Sequence, residues 1–157
     1  MKIELWAIAK SKPSWVADAC VLLAKRCTHF GSFDYVEYPA PKIKSSATVA
    51  QVQEADASLV LGKLLRGDRL YLFDEVGKSY TSRKFAAWLE QIQLQGGSRI
   101  VFLIGGAYGH HLSVRARAVG TVQLSSMTFS HQLARVVALE QFYRAYAILN
   151  NHPYHND

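Results

Sequence analysis

The chain has 157 residues, half of them hydrophobic and 19% charged, enough apolar material for one domain of ordinary size and far from the polar composition of a disordered chain. No stretch approaches the roughly 18 consecutive apolar residues of a membrane helix, and Met1 to Ala9 alternates polar and apolar residues around Glu4 where a secretory signal would run unbroken. Eighteen Lys and Arg against twelve Asp and Glu, a net charge of +6, favour a polyanionic partner such as RNA or DNA over a soluble protein that merely happens to be basic. A cytoplasmic protein is expected.

Lys2 to Ala9 reads as a strand that ends at a Lys-Ser-Lys-Pro turn. Pro13 fits the first turn of a helix reaching about Thr28, because its missing N–H has no intrahelical partner there. Cys20 and Cys27 fall in that helix, separated by about 10 Å of rise. A disulfide needs alpha carbons within about 7 Å, so these two are expected as free, apolar fillers in a reducing compartment. Phe33 to Tyr38 is a second strand, closed by Pro39 and Pro41. Lys42 to Ala47 is a polar loop. A helix follows from Thr48 to about Leu65, with Val49, Val52 and Leu59 facing inward.

Gly67-Asp68 turns the chain into a short strand, Arg69 to Phe73. Thr81 or Ser82 caps a helix to about Leu94, with Phe85, Trp88, Leu89 and Ile92 at helical spacing and Gly96-Gly97 beyond its end. Arg99 to Ile104 is a strand whose residues Ile100 to Ile104 are unbroken and apolar, the pattern of a strand covered on both faces. A helix near His111 to Val119, a short strand near Thr121 to Leu124 and a last helix from His131 to about Asn150 complete the chain. The alternation predicts one α/β domain, residues 1–157, with a mainly parallel sheet and flanking helices.

In such sheets ligands collect at the carboxyl ends of the strands. Three segments occupy that place: Asp74 to Gly77, Gly105-Gly106-Ala107-Tyr108-Gly109, and Ser125 to Ser130. The glycine segment is neither a Walker loop nor a Gly-x-Gly-x-x-Gly fingerprint. It admits two readings, a close backbone approach to a ligand or a tight turn that needs positive φ. Leu124 to Ser130 mixes hydroxyls with Leu124, Met127 and Phe129, which suits a cofactor pocket as well as a helix-capping loop. Glu140 and Arg144 are spaced for a helix-face salt bridge. His110, His111, His152 and His155 lack the Cys or carboxylate partners of a metal site, so no metal is expected. The ending Asn151-His152-Pro153-Tyr154-His155-Asn156-Asp157 reads as a mobile tail suited to stacking on a base.

Taken together, Phe-Asp-Glu-Val-Gly-Lys at 73–78, Phe-Leu-Ile-Gly-Gly-Ala-Tyr-Gly at 102–109, Leu-Ser-Ser-Met-Thr-Phe-Ser-His at 124–131, Arg-Val-Val-Ala-Leu-Glu-Gln-Phe-Tyr-Arg-Ala at 135–145 and the ending His-Pro-Tyr-His resemble the ribosomal RNA large-subunit methyltransferase H family of the SPOUT class, in order and over the whole chain. The resemblance implies a C-terminal trefoil knot, a homodimer and S-adenosyl-L-methionine as cofactor. It also implies a 23S ribosomal RNA substrate, methylated at N3 of a pseudouridine, and recognition of the large subunit or whole ribosome. It assigns cofactor binding to Phe73, Gly105, Leu124, Ser125, Ser126, Met127, Thr128 and Phe129, and substrate-side roles to Arg144, Tyr154 and His155. On that assignment His155 helps to take the N3 proton, Tyr154 positions the base and Arg144 stabilises charge on the flanking carbonyl. Phe73 stands where the family usually has Leu, and the terminal Asp157 weakens the tail's grip on phosphate. Two other readings are a ribosome-binding factor of the same fold without activity and, from fold pattern alone, a flavodoxin-like nucleotide-binding domain.

Overall fold

The computed structural model describes Met1 to Asn156. The chain alternates β1 (Lys2–Ile8), α1 (Ser14–Thr28), β2 (Phe33–Tyr38), α2 (Val49–Lys63), β3 (Asp68–Ser79), α3 (Ser82–Leu94), β4 (Arg99–Ile104), α4 (Leu112–Arg117), β5 (Gly120–Gln123) and α5 (His131–Leu149). The strands form one five-stranded sheet in the order β2-β1-β4-β3-β5, parallel at every pairing. Helices cover both faces, which is why β4 has no polar side. Ile100, Phe102 and Ile104 join the core under α1, α3 and α5, while Val101 and Leu103 meet Ala57 and Val60 of α2 and Val114 of α4. Phe102 is the hub of the larger core, with ring centroids 4.9 Å from Phe142, 5.3 Å from Tyr71 and 5.6 Å from Phe73. Among the described residues no helix is long and apolar enough to cross a membrane. Cys20 and Cys27 are free and buried.

Helix starts follow side-chain chemistry. Thr48 and Gln51 make a reciprocal capping box at α2, and Thr81 and Ser130 accept from backbone N–H groups at α3 and α5. Pro13 is the cap of α1 and not its first helical residue. Val49, expected inward, is half exposed. It lies in the first turn of α2, ahead of Ala57 and Val60 where that helix meets the sheet.

The larger departure is β3. It does not stop at Phe73 but runs to Ser79, and both Phe73 and Lys78 pair with Val122 of β5. Asp74 to Gly77 is therefore an excursion inside a strand, not a loop after one. Its polar residues break the apolar run, so the second pairing leaves no hydrophobic signature. Gly77 closes the excursion against β5, where a Cβ would lie 2.5 Å from the carbonyl carbon of Val122.

Two polar clusters hold the ends of the sheet. At the amino end Arg99 bonds Glu4 at 3.0 Å and Asp68 at 2.5 Å, and Trp6 donates to Glu4 at 2.7 Å. At the carboxyl end Arg135 of α5 is fully buried. Its guanidinium donates to the carbonyls of Ile8 at 2.6 Å, Ala9 at 2.8 Å and His131 at 3.2 Å, and to Ser11 Oγ at 3.3 Å. The carboxylate of Glu37 balances the charge at 3.7 Å. Arg135→Met leaves those acceptors and Glu37 without their donor, so chemical denaturation should show a loss of about 3 kcal/mol or more. Gly77→Ala should also destabilise, by roughly 2 kcal/mol through overpacking on β5. A wild-type midpoint in either variant would contradict the packing described.

Candidate functional site

The carboxyl ends of β3, β4 and β5 open into a cleft of about 710 Å³, within the range of small-molecule sites. Its walls come from Phe73 to Glu75, Ile104 to His110, Arg115, and Leu124 to Ala134 with gaps. Side chains tie these segments together. His110 Nε2 lies 2.9 Å from the Phe73 carbonyl, Arg115 pairs with Asp74 at 2.6 Å, and Thr128 Oγ1 donates to Glu75 at 3.1 Å. Gln123 donates to the Glu75 carbonyl at 2.8 Å. The glycine segment is a turn, with Gly109 N–H donating to the Gly106 carbonyl at 3.1 Å and Gly109 at φ 76°. Gln53 of α2 donates to the Tyr108 carbonyl at 2.6 Å and braces it from outside. A Cβ on Gly105 would sit 3.1 Å from the Gly109 backbone. The glycines form a tight turn, and its backbone lines the cleft.

Burial sets the local electrostatics. It lowers the pKa of His110, partly opposed by the bond to the Phe73 carbonyl. Since a carbonyl only accepts, Nε2 carries a proton, and the lowered pKa favours the neutral ring. Burial, then the charges of Arg135 and Lys12, lower His131 as well. Burial raises Asp56, whose carboxylate lies against Gly106.

Of the expected cofactor residues, Phe73, Gly105, Leu124, Ser125, Met127, Thr128 and Phe129 line the cleft. Ser126, which is exposed, is not among the lining residues. The cleft adds Asp74, Ile104, His110, Arg115, His131 and Ala134. Ile104 and Ala134 look like ordinary core residues in the sequence. Arg115 joins the site through tertiary placement, which no local pattern announces, and His131 closes the 124–131 segment.

Arg144, Tyr154 and His155 come together elsewhere. Arg144 donates to Glu140 at 3.0 Å and to His155 Nδ1 at 3.1 Å, and Tyr154 OH donates to Glu140 at 3.1 Å. The Arg144 guanidinium carbon is 4.9 Å from the Tyr154 ring centre, and the rings of Tyr154 and Tyr143 are 4.5 Å apart. The tail is therefore docked on α5 rather than mobile. Glu140 is both the expected salt-bridge partner and the anchor of the tail. The terminal Asp157 lies outside the described residues. His131 borders the cleft while Arg144 stands further along the same helix, roughly 20 Å of rise away. Within one chain the two groups do not meet. Among the described residues no cluster of His, Cys, Asp and Glu is grouped as a metal site.

Comparison with known proteins matches residues 1–155 to a family described as predicted SPOUT methyltransferase. The ribosomal RNA large subunit methyltransferase H of Cytophaga hutchinsonii is 39% identical, covering 99% of this chain and all of that protein. The protein of the same name from Parabacteroides distasonis is 40% identical over the full length of both. A solved structure of a probable methylase family protein from Haemophilus influenzae superposes with a TM-score of 0.54 at 11% identity, covering 99% of this chain and 70% of that one, which speaks to the fold alone. With the family model spanning nearly the whole chain and relatives similar end to end, this protein belongs to the SPOUT methyltransferase family, alongside the large-subunit ribosomal RNA methyltransferases H.

Proposed function

We propose that this single-domain protein transfers a methyl group from S-adenosylmethionine to N3 of a pseudouridine in 23S ribosomal RNA, on the assembled ribosome in the cytoplasm. The observation that carries the reading is the three-segment cleft at the carboxyl ends of β3, β4 and β5, in a chain related over its full length to proteins named for this class of activity. The residues present fit the cofactor. Phe73, Ile104, Leu124, Phe129 and Ala134 offer an apolar wall for an adenine, and the Gly105 turn brings backbone within reach of it. Asp74 and Arg115 place one carboxylate and one guanidinium at the rim, complementary to an amino-acid end. We also expect the C-terminal segments to be threaded as a trefoil knot.

The bound cofactor supplies an electrophilic methyl group. The protein's task is to align N3 with it and to accommodate the imide proton. Arg144 donates to a carbonyl flanking N3, where negative charge gathers as the proton leaves, and Tyr154 holds the base. An arginine only donates, so the Nδ1 lone pair of His155 is engaged by Arg144. His155 thus orients the guanidinium, and the N3 proton passes to water. Because the cleft and the Arg144 cluster are far apart on α5, the working site takes its cleft from one subunit of a homodimer and its tail from the other.

Labelled methyl should pass from S-adenosylmethionine to ribosomes of a strain lacking the modification, and not to naked 23S RNA. RNA binding without transfer and without cofactor affinity would favour a ribosome-binding factor instead. Arg144→Ala should cut transfer about 10²–10³-fold, in line with the loss of one preorganised donor. Mixed dimers of Arg144→Ala with Gly105→Val test the shared site. A two-subunit site restores about half the sites to working order, whereas a site within one chain leaves the mixture inactive. The pH dependence of stability is also fixed in sign. The folded pKa of His110 is below its ordinary 6.5, so the stability it confers is complete above pH 6.5 and lost as pH falls towards the folded value. The melting temperature should drop between pH 7.5 and 5.5, less so in His110→Gln; His131, shifted the same way, accounts for what remains. An identical drop in His110→Gln would disprove the contribution.

A further inference from the structure

Arg26 stands in the last turn of α1, where a cation is favoured by the helix carboxyl end. Its guanidinium carbon lies 5.5 Å from the ring centre of Tyr143. In space the order runs Arg26, Tyr143, Tyr154, Arg144, a pair of tyrosine rings flanked by two guanidinium groups. Phe30, just past α1, extends the aromatic surface, with its ring 6.0 Å from Tyr143 and 5.9 Å from His152. The two arginines differ in one respect. Arg144 is neutralised by Glu140, whereas Arg26 makes no ion pair among the described residues. Lys25, beside it, is exposed.

We propose that Arg26 is a phosphate-contacting residue that, with the part-exposed ring of Tyr154 seated on the buried Tyr143, holds the backbone of single-stranded RNA next to the nucleotide being methylated. The inference rests on the reading of the protein as an RNA methyltransferase and extends its substrate site onto α1. A planar guanidinium over a ring keeps its N–H edge for a second partner, and phosphate oxygens match that edge. A part-exposed ring beside cations, as Tyr154 is beside Arg144 and near Arg26, suits an unstacked base and its backbone. An acidic peptide would use the charges but not the rings, and the chain's net charge of +6 suits a polyanion.

The test is the salt dependence of methyl transfer to ribosomes lacking the modification, from about 50 to about 300 mM KCl at constant magnesium. Arg26→Met keeps the packing on Tyr143 and removes the charge; Arg26→Lys restores the charge without the planar edge. In Arg26→Met, kcat/KM should fall about ten-fold at low salt, the loss residing in KM. The slope of log kcat/KM against log salt should flatten by about 0.7, the share of one single-strand phosphate. Arg26→Lys should recover the slope and only part of the rate. A wild-type slope in Arg26→Met, with or without a lower melting temperature, overturns the proposal and leaves Arg26 as support for Tyr143. If wild type binds no S-adenosylmethionine by calorimetry and transfers no methyl, the enzyme reading fails by itself. The same slope criterion, applied to equilibrium binding of ribosomes, then still decides the role of Arg26.

Discussion

A buried guanidinium holds this molecule together at the end where it is open. Without Arg135, the buried carbonyl of Ile8 and the part-buried carbonyl of Ala9 at the tip of β1 would lose their donor, at a cost of about 1–3 kcal/mol for a buried group left without a partner. With it, the tip of the strand and the first turn of α5 are bonded to the same side chain. That turn carries His131 and Ala134 into the cleft, so the geometry of the cavity is inherited from a contact that never touches a ligand. The carboxylate of Glu37 makes the burial tolerable, and Ser11 and Tyr35 in turn bond that carboxylate. A charge network in the first crossover is thereby coupled to a pocket built by the last three strands.

The cleft itself is organised less by its floor than by the ties among its rims. The excursion in β3 reaches α4 through Asp74 and Arg115, and reaches the loop before α5 through Glu75 and Thr128. The neutral His110 bonds the strand end to the glycine turn. Each segment alone is short and polar, and would be free to move. Linked in this way, they share one arrangement, which is what a pocket needs before a ligand arrives.

The elements were legible because local chemistry and tertiary demand agree in them. Thr48, Thr81 and Ser130 cap helices as their hydroxyls imply, and the unbroken apolar run of Ile100 to Ile104 is buried on both faces. The β3 excursion was not legible, since Asp74, Glu75 and Lys78 carry no strand pattern and the second pairing depends on where β5 lies. Val49 misled because periodicity gives a helix its face but not the length of it that is covered. In the site, the glycine turn and the Leu124–Phe129 loop follow from strand ends in a parallel sheet. Arg115 enters only through folding. The docking of Tyr154 on Tyr143 and Glu140 was equally hidden, because a Pro- and Asn-containing tail looks mobile until its partners are placed.

Helix α5 carries the cleft boundary at one end and the tail's landing surface at the other. It acts as a ruler whose graduations are residues, and its angular setting matters as much as its length. Adding or removing a single residue between Arg135 and Glu140 would leave the cavity in place yet turn everything beyond by about 100°. Glu140, Tyr143 and Arg144 would then face a different neighbour. Substitutions along this stretch can be absorbed one at a time, but its residue count is part of the mechanism.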